Sequence, residues 1–214
     1  MTSNNTQALK AKIREICQEK QAVILAHYYT DGDIQDVADF IGDSLALARK
    51  AADTDARIIV MCGVHFMAET CKLLCPDKLV LCPDPEAGCS LADSCRAEDL
   101  RKFKEEHPGY TIVSYVNTTA DVKALTDVVV TSGNAERIVS KLPQDAKILF
   151  GPDHNLGSYV NAVTGRQMAL WNGGRPLPRT RALLRRRHSR AQGQAPRRHS
   201  PGTPRMQGPR ARRR

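Results

Sequence analysis

The chain has 214 residues, of which 41% are hydrophobic and 26% charged, with seven Cys and a formal net charge of +9. This length accommodates one large domain or two small ones, each able to bury a core. The longest apolar runs are far shorter than the ~20 residues of a membrane span, and the N-terminus lacks the pattern of a secretory signal. The odd number of Cys favours free or metal-bound thiols, so we expect a cytoplasmic protein with no membrane partner.

Short apolar strands alternate with amphipathic helical segments along residues 8–174. The predicted strands are 22–26, 57–61, 78–81, 111–116, 128–130, 147–150 and 167–170. The predicted helices are 8–19, 33–52 (interrupted at 42–44), 66–74, 97–106, 120–125, 135–142 and 156–163. This alternation predicts an α/β fold of repeated three-layer α/β/α units with parallel sheets. In such sheets ligands bind beyond the carboxyl ends of the strands, so the residues that follow each strand are the first candidates for a site.

The positive charge is confined to the last forty residues. Residues 175–214 hold 14 Arg and six Pro but no Lys, Asp or Glu, whereas the other 174 residues hold 18 basic and 23 acidic side chains. Such a segment buries too little apolar surface to offset the entropy of ordering, so we predict disorder. Basic composition that uses Arg alone is typical of GC-rich DNA translated out of frame, and we interpret the tail in that way.

A shift of 88 positions aligns the chain with itself. The shift places His27 on Tyr115, Tyr29 on Asn117, Ser44 on Ser132 and Gly63 on Gly151 without a gap, and it superposes predicted strands and helices. We interpret this as an internal duplication of two α/β units. Each unit then offers a pair of polar residues at a strand end and a Ser that opens a helix as its N-cap.

These residue types suit an anionic ligand. An N-cap Ser and a helix N-terminus attract carboxylate or phosphate, and His27 can act as an acid, a base or a hydrogen-bond donor near neutral pH. Structural alternatives stay open at this point, because a single Ser is more often only a cap and a single His is often a structural residue.

Six of the seven cysteines fall into two groups. Four of them lie on or beside predicted core elements and are interpreted as core thiols, although a zinc site built from them is conceivable: Cys62, Cys71, Cys75 and Cys82. Cys89 lies in the Pro- and Gly-rich connection 83–95 between the two units, and Cys95 is its nearest alternative. A thiolate at Cys89 could bind a soft metal or an iron–sulfur cluster, but only with partners from elsewhere.

Several long motifs, in order, resemble those of quinolinate synthase from about residue 9 to residue 174. They are Ala26-His-Tyr-Tyr29, Gln35-Asp-Val-Ala-Asp-Phe-Ile-Gly-Asp-Ser44, Gly63-Val-His-Phe-Met-Ala-Glu-Thr70, Pro85-Glu-Ala-Gly-Cys89, Tyr115-Val-Asn117, Thr131-Ser132-Gly-Asn-Ala and Phe150-Gly-Pro-Asp-His-Asn-Leu156. The resemblance implies an enzyme of NAD biosynthesis that condenses iminoaspartate (iminosuccinate) with dihydroxyacetone phosphate to quinolinate, phosphate and water. It also names L-aspartate oxidase as a candidate source of the iminoaspartate.

The resemblance further implies a fold and a set of site residues. The family has three similar α/β domains around a pseudo-threefold axis and a [4Fe–4S] cluster held by three Cys, with one iron open as a Lewis acid. Cys89 matches one of the three cluster ligands. The substrate-contacting positions match His27, Ser44, Tyr115, Asn117 and Ser132, and Tyr29 joins His27 as a catalytic candidate. We expect His27 and Tyr29 to serve proton transfer or triose binding and the other four to hold carboxylates.

The resemblance covers two of the family's three domains. We predict a first unit at 1–84, a second at 85–174 that includes the Cys89 connection, and a disordered tail at 175–214. The other two cluster Cys and a second substrate motif of the family are not found after Cys95. We therefore expect the chain as given to be poor in iron and inactive.

Two other functions match single features of the sequence. Gly42-Asp43-Ser44-Leu45 is the opening signature of GDSL esterases, but no Asp-x-x-His pair follows, and Ser44 is expected inside a helical stretch rather than after a strand. A nucleic-acid-binding protein driven by the Arg-rich tail is the non-enzyme alternative.

Overall fold

Eight elements build a first parallel sheet with its helices. The computed structural model describes residues 3–172, which belong to one compact unit. The elements are α1 (Ser3–Lys20), β1 (Ala22–His27), α2 (Gly32–Val37), β2 (Phe40–Gly42), α3 (Ser44–Asp53), β3 (Ile58–Cys62), α4 (His65–Leu74) and β4 (Leu79–Leu81). The strand order is β2-β1-β3-β4, and every pairing is parallel. The sheet therefore turns all four strand ends toward the same edge.

Nine further elements build a second sheet of the same kind. They are α5 (Ser90–Asp93), α6 (Ala97–Glu106), β5 (Tyr110–Tyr115), α7 (Ala120–Ala124), β6 (Val128–Val130), α8 (Ala135–Lys141), β7 (Lys147–Gly151), α9 (His154–Thr164) and β8 (Ala169–Leu170). The order β6-β5-β7-β8 is again wholly parallel. The predicted α/β fold of repeated units with parallel sheets is confirmed. The domain boundaries at 84 and 174 stay predictions, and the tail at 175–214 lies outside the described residues.

The second sheet is buried on both faces. Val113 and Phe150 pack with α8 and α9 on one side. Their strand neighbours Ile112 and Leu149 pack with α6, α7 and Trp171 on the other side. Alternate residues of a strand point to opposite faces, so continuous apolar strands of this kind need a helix layer on each side. The three layers follow directly from that composition.

The two copies of the repeat match in their first two strands and differ by one residue before the third. The bounds of β1 and β2 shift by 88 positions onto those of β5 and β6. The third strands differ, because Ile24 pairs with Val60 whereas Ile112 pairs with Leu149. The loop between α8 and β7 has one more residue than the equivalent loop between α3 and β3. The gap-free match of Gly63 with Gly151 was therefore wrong, and Gly151 corresponds to Cys62.

The segment 33–52 also differs from its prediction. It contains two helices with β2 between them, rather than one interrupted helix. The strand has only three residues, two of them exposed, so it lacks the apolar run that marks a buried strand.

In the described part of the chain, no helix combines the length and apolar character needed to cross a bilayer.

An Asp closes the amino end of the same strand pair in both copies. The Asp39 carboxylate accepts a hydrogen bond from the Ile24 amide at 2.7 Å, and the Asp39 amide donates back to the Ile24 carbonyl. Asp127 makes the same two contacts with Ile112. Each Asp thus extends the ladder by one residue before the second strand begins, which fixes the register of that edge strand.

We expect Asp127→Ala to lower the free energy of unfolding by about 1–2 kcal/mol, because the Ile112 amide loses a charged acceptor. Urea denaturation followed by circular dichroism measures the change. The matched control is Asp145→Ala, which removes an exposed carboxylate outside this contact. Equal stability of the two variants would contradict the assigned role of Asp127.

Candidate functional site

The ends of both sheets open onto one cavity of about 830 Å³. Its walls come from the last residues of β1, β3 and β5 and from the turn that follows β6. All seven residues proposed from the sequence line it: His27, Tyr29, Ser44, Cys89, Tyr115, Asn117 and Ser132. The volume lies in the range of small-molecule sites. The structure therefore brings the predicted residues together, while their individual roles stay predictions.

His27 ends β1 and is held by the loop that follows it. The Tyr29 amide donates a hydrogen bond to Nδ1 of His27 at 3.2 Å, and the Thr30 hydroxyl donates to the His27 carbonyl at 2.9 Å. The Tyr29 ring meets the imidazole edge-on, with ring centres 4.8 Å apart, and is otherwise 92% exposed. Because Nδ1 accepts from the backbone, the neutral ring carries its proton on Nε2.

Burial shifts the pKa values of His27 and Tyr115, which end β1 and β5. It lowers the pKa of His27 below the ordinary 6.5, and the Asp43 carboxylate opposes this only in part. It raises the pKa of Tyr115 above 10, with Asp153 acting in the same direction and the Ser132 hydroxyl against it. Desolvation penalises the charged form in both cases. At neutral pH, both side chains are uncharged and can donate hydrogen bonds.

The two serines are not the helix caps that the sequence predicts. Asp43 caps α3, where its carboxylate accepts from the Ala46 amide, and Ser44 is the first helical residue. In the second copy Asn134 precedes α8, and Ser132 lies in the turn before it. Neither hydroxyl therefore serves as a cap, because the cap position belongs to another residue in both copies. Since β2 ends immediately before Asp43, the expectation that Ser44 does not follow a strand was also wrong.

Cys89 faces the second sheet across the cavity. It precedes the short helix α5 and packs partly against the core of the first sheet. Its Sγ lies 3.9 Å from Nδ2 of Asn117. The connection 83–95 supplies a residue to each core: Ala92 to the first and Cys95 to the second.

Cys62 is a lining thiol that the sequence interpretation assigned to the core. Cys71 and Cys75 are buried as expected for core thiols, but Cys62 and Cys82 are only partly buried, and Cys62 lines the cavity. Burial raises the pKa of Cys62 to about 11, so this thiol stays protonated at neutral pH in the free cavity. Cys62 ends β3 as His27 ends β1, and the strand-end rule applied to every strand would have found it.

The donor set for metals is sparse in residues 3–172. Within this range, no three side chains of His, Cys, Asp or Glu converge as a metal site needs. This also holds for the four cysteines considered for zinc. Cys89 and Cys62 are the thiols that line the cavity among the described residues.

The fold and the cavity define a class: an α/β protein of repeated parallel sheets with a cavity of small-molecule size between the strand ends. The family model of NadA, quinolinate synthetase A protein, matches residues 11–177. The chain is 57% identical over 165 residues to the quinolinate synthase of Synechocystis sp., covering 77% of this chain and 52% of that protein. It is 59% identical over 165 residues to that of Thermosynechococcus vestitus, with the same coverage.

The quinolinate synthase of Prochlorococcus marinus (strain MIT 9313) is 56% identical over 165 residues, which cover 77% of this chain and 50% of that protein. The chain belongs to the quinolinate synthetase A family, which confirms the resemblance found in the motifs. It spans about half the length of the curated relatives it matches.

We expect His27 to titrate with a midpoint below 6.5 and to be the Nε2–H tautomer when neutral, because burial disfavours the imidazolium and Nδ1 accepts from Tyr29. Nitrogen-15 NMR of the imidazoles measures both properties, and the His27→Gln variant identifies the resonance by its loss. A midpoint at or above 6.5, or an Nδ1–H tautomer, would contradict this geometry.

Proposed function

We propose that this chain carries the substrate cavity of a quinolinate synthase of NAD biosynthesis. The reaction of the whole protein would join iminoaspartate and dihydroxyacetone phosphate through one carbon–carbon and one carbon–nitrogen bond. Atom balance then releases phosphate and two water molecules and needs no oxidant. The observation that carries the proposal is the convergence of polar residues from both sheets on one cavity, in a chain that belongs to this family.

Four neutral polar side chains of the lining suit a doubly charged ligand, and their hydrogen bonds must outweigh repulsion from the Asp43 and Asp84 carboxylates in the same lining. Tyr115, Asn117, Ser44 and Ser132 present neutral hydrogen-bond donors from both copies of the repeat. Hydrogen bonds to a carboxylate are stronger than those between neutral groups, so neutral donors at the strand ends can hold an iminodicarboxylate. One of these donors, Ser44, comes from the first copy and three from the second, so donors from both copies can pair with the two ends of a four-carbon diacid. We assign these four residues to carboxylate binding.

His27 and Tyr29 lie together on the wall of the first sheet. A neutral imidazole with Nε2–H can donate to a carbonyl or phosphate oxygen, and it can return to the same state after proton transfer. The exposed Tyr29 ring is available to contact a second substrate. We therefore assign this pair to the triose and to proton transfer. The iminoaspartate would come from an oxidation of aspartate, for which L-aspartate oxidase is the candidate partner.

The family's [4Fe–4S] cluster is not accommodated by the described residues alone. Three thiolate ligands are expected, and Cys89 is the one family position present near the cavity. Cys62 is a second thiol whose raised pKa reflects an apolar setting. With no third donor converging within residues 3–172, we assign no chemical step to the cluster here.

Ligand binding tests the proposal without requiring turnover. We expect the chain to bind oxaloacetate, in which a keto oxygen replaces the imine nitrogen, and Asn117→Ala or Ser132→Ala to weaken binding about tenfold by removing a donor to a carboxylate. Isothermal titration calorimetry measures the affinity.

The matched control is Ser140→Ala, on the exposed side of α8 and outside the cavity. The longer diacid 2-oxoglutarate serves as the ligand control and should bind more weakly. If the chain does not bind oxaloacetate, or if Asn117→Ala binds it as well as the Ser140→Ala control does, the proposed carboxylate site is wrong.

A further inference from the structure

The loop after the first strand has the same length and the same Thr hydroxyl hydrogen bond in both copies of the repeat. Residues 28–30 follow β1 and residues 116–118 follow β5, and a shift of 88 positions superposes the two loops. The middle residues are Tyr29 and Asn117, and both line the cavity. In each loop the third residue is a Thr whose hydroxyl donates to the carbonyl of the last strand residue.

A side chain from the following helix joins the two ends of each loop. Nε2 of Gln35 donates to the carbonyl of Tyr28 at 3.1 Å and to that of Thr30 at 2.8 Å. In the second copy, Nζ of Lys123 donates to the carbonyl of Val116 at 3.0 Å and also to that of Thr118. The shift of 88 positions carries Gln35 onto Lys123. The same two carbonyls are therefore held from the same place in both copies, by two different residue types.

We propose that Gln35 and Lys123 are equivalent positioning residues, which hold the loops so that Tyr29 and Asn117 face the cavity. The carbonyls on either side of the middle residue are fixed by one donor group. The backbone at that residue then has little freedom to turn, and its side chain keeps one direction. The part of the proposal that concerns ligand affinity rests on the proposed function, whereas the part that concerns loop order does not.

Lys123 also connects the second loop to the first sheet. Its Nζ lies 5.4 Å from the centre of the Phe66 ring on α4. One turn further along α4, the Glu69 carboxylate accepts a hydrogen bond from the Ala120 amide at the start of α7 at 3.0 Å. Asn117 is thus placed relative to residues of the first sheet as well as to its own strand.

Burial makes the position of the Lys123 ammonium group unfavourable for a charge. Burial lowers the pKa of Lys123 to about 8, and the Glu69 carboxylate opposes this only in part. A buried ammonium is tolerated when its protons find acceptors, and two carbonyls and an aromatic face meet that need here. The neutral amide of Gln35 satisfies the equivalent carbonyls in the first copy. The two donor hydrogen bonds, rather than the charge, are the feature that both copies share.

Local amide exchange and ligand affinity test the proposal on the full 214-residue chain. We expect Lys123→Met to speed hydrogen exchange at residues 116–119 at least tenfold and to weaken oxaloacetate binding about tenfold. Lys123→Gln should restore most of both, because it reproduces the donor of the first copy. Gln35→Met should speed exchange at residues 28–31 and leave residues 116–119 unchanged.

Lys141→Met is the matched control, since Lys141 is an exposed lysine at the end of α8. Exchange in Lys123→Met that matches this control would overturn the proposal, and so would a Lys123→Gln variant as impaired as Lys123→Met. If Lys123→Met does not fold, Gln35→Met decides through its own loop. If the unaltered chain does not bind oxaloacetate, the proposed function fails while the exchange results still decide the positioning role.

Discussion

Parallel strand pairing is the constraint on which the rest of this structure depends. A parallel sheet turns the carboxyl ends of all its strands to one edge. Backbone pairing alone therefore brings residues that are far apart in the chain close together at that edge. His27 and Cys62 end two adjacent strands of the first sheet, and Tyr115 ends the corresponding strand of the second. Because both sheets present this edge to the same cavity, side chains up to 105 positions apart, from His27 to Ser132, line that one cavity.

The two copies of the repeat share their backbone contacts and differ in the side chains that face the cavity. Asp39 and Asp127 close the same strand pair with the same two hydrogen bonds. Two pairs of lining positions have diverged, with His27 aligned on Tyr115 and Tyr29 on Asn117, while Ser44 and Ser132 are identical. Duplication of this kind supplies a rigid frame twice, and divergence at the strand ends then makes the cavity asymmetric. An asymmetric cavity is what the two unlike substrates of the proposed reaction would require.

Much of this architecture could be predicted, because its causes are local. Apolar runs with helical segments between them identify a parallel sheet, and the strand-end rule selects His27 and Tyr115. β2 could not be found in this way, since a three-residue strand with two exposed residues is stabilised by pairing with β1 and not by its own composition. The cap at Asp43 and the strand-end position of Cys62 were within reach of the sequence, because Asp43 accepts from Ala46 three residues further on and Cys62 directly follows a predicted strand. The loop contacts of Gln35 needed coordinates, because nothing in a helical Gln indicates which carbonyls it reaches.

Burial links the frame to the chemistry. The packing that orders the strand ends also removes water from His27 and Tyr115, and this keeps both neutral at physiological pH. Neutral donors are well suited to anionic ligands that must later leave, because they bind a carboxylate without forming a tight ion pair. Lys123 shows the limit of this arrangement. Its charge lies beneath the loop rather than in the cavity, where carbonyl acceptors and the Phe66 ring offset the loss of water. In our proposal the cation orders a neutral donor, Asn117, and that residue would make the contact with the ligand.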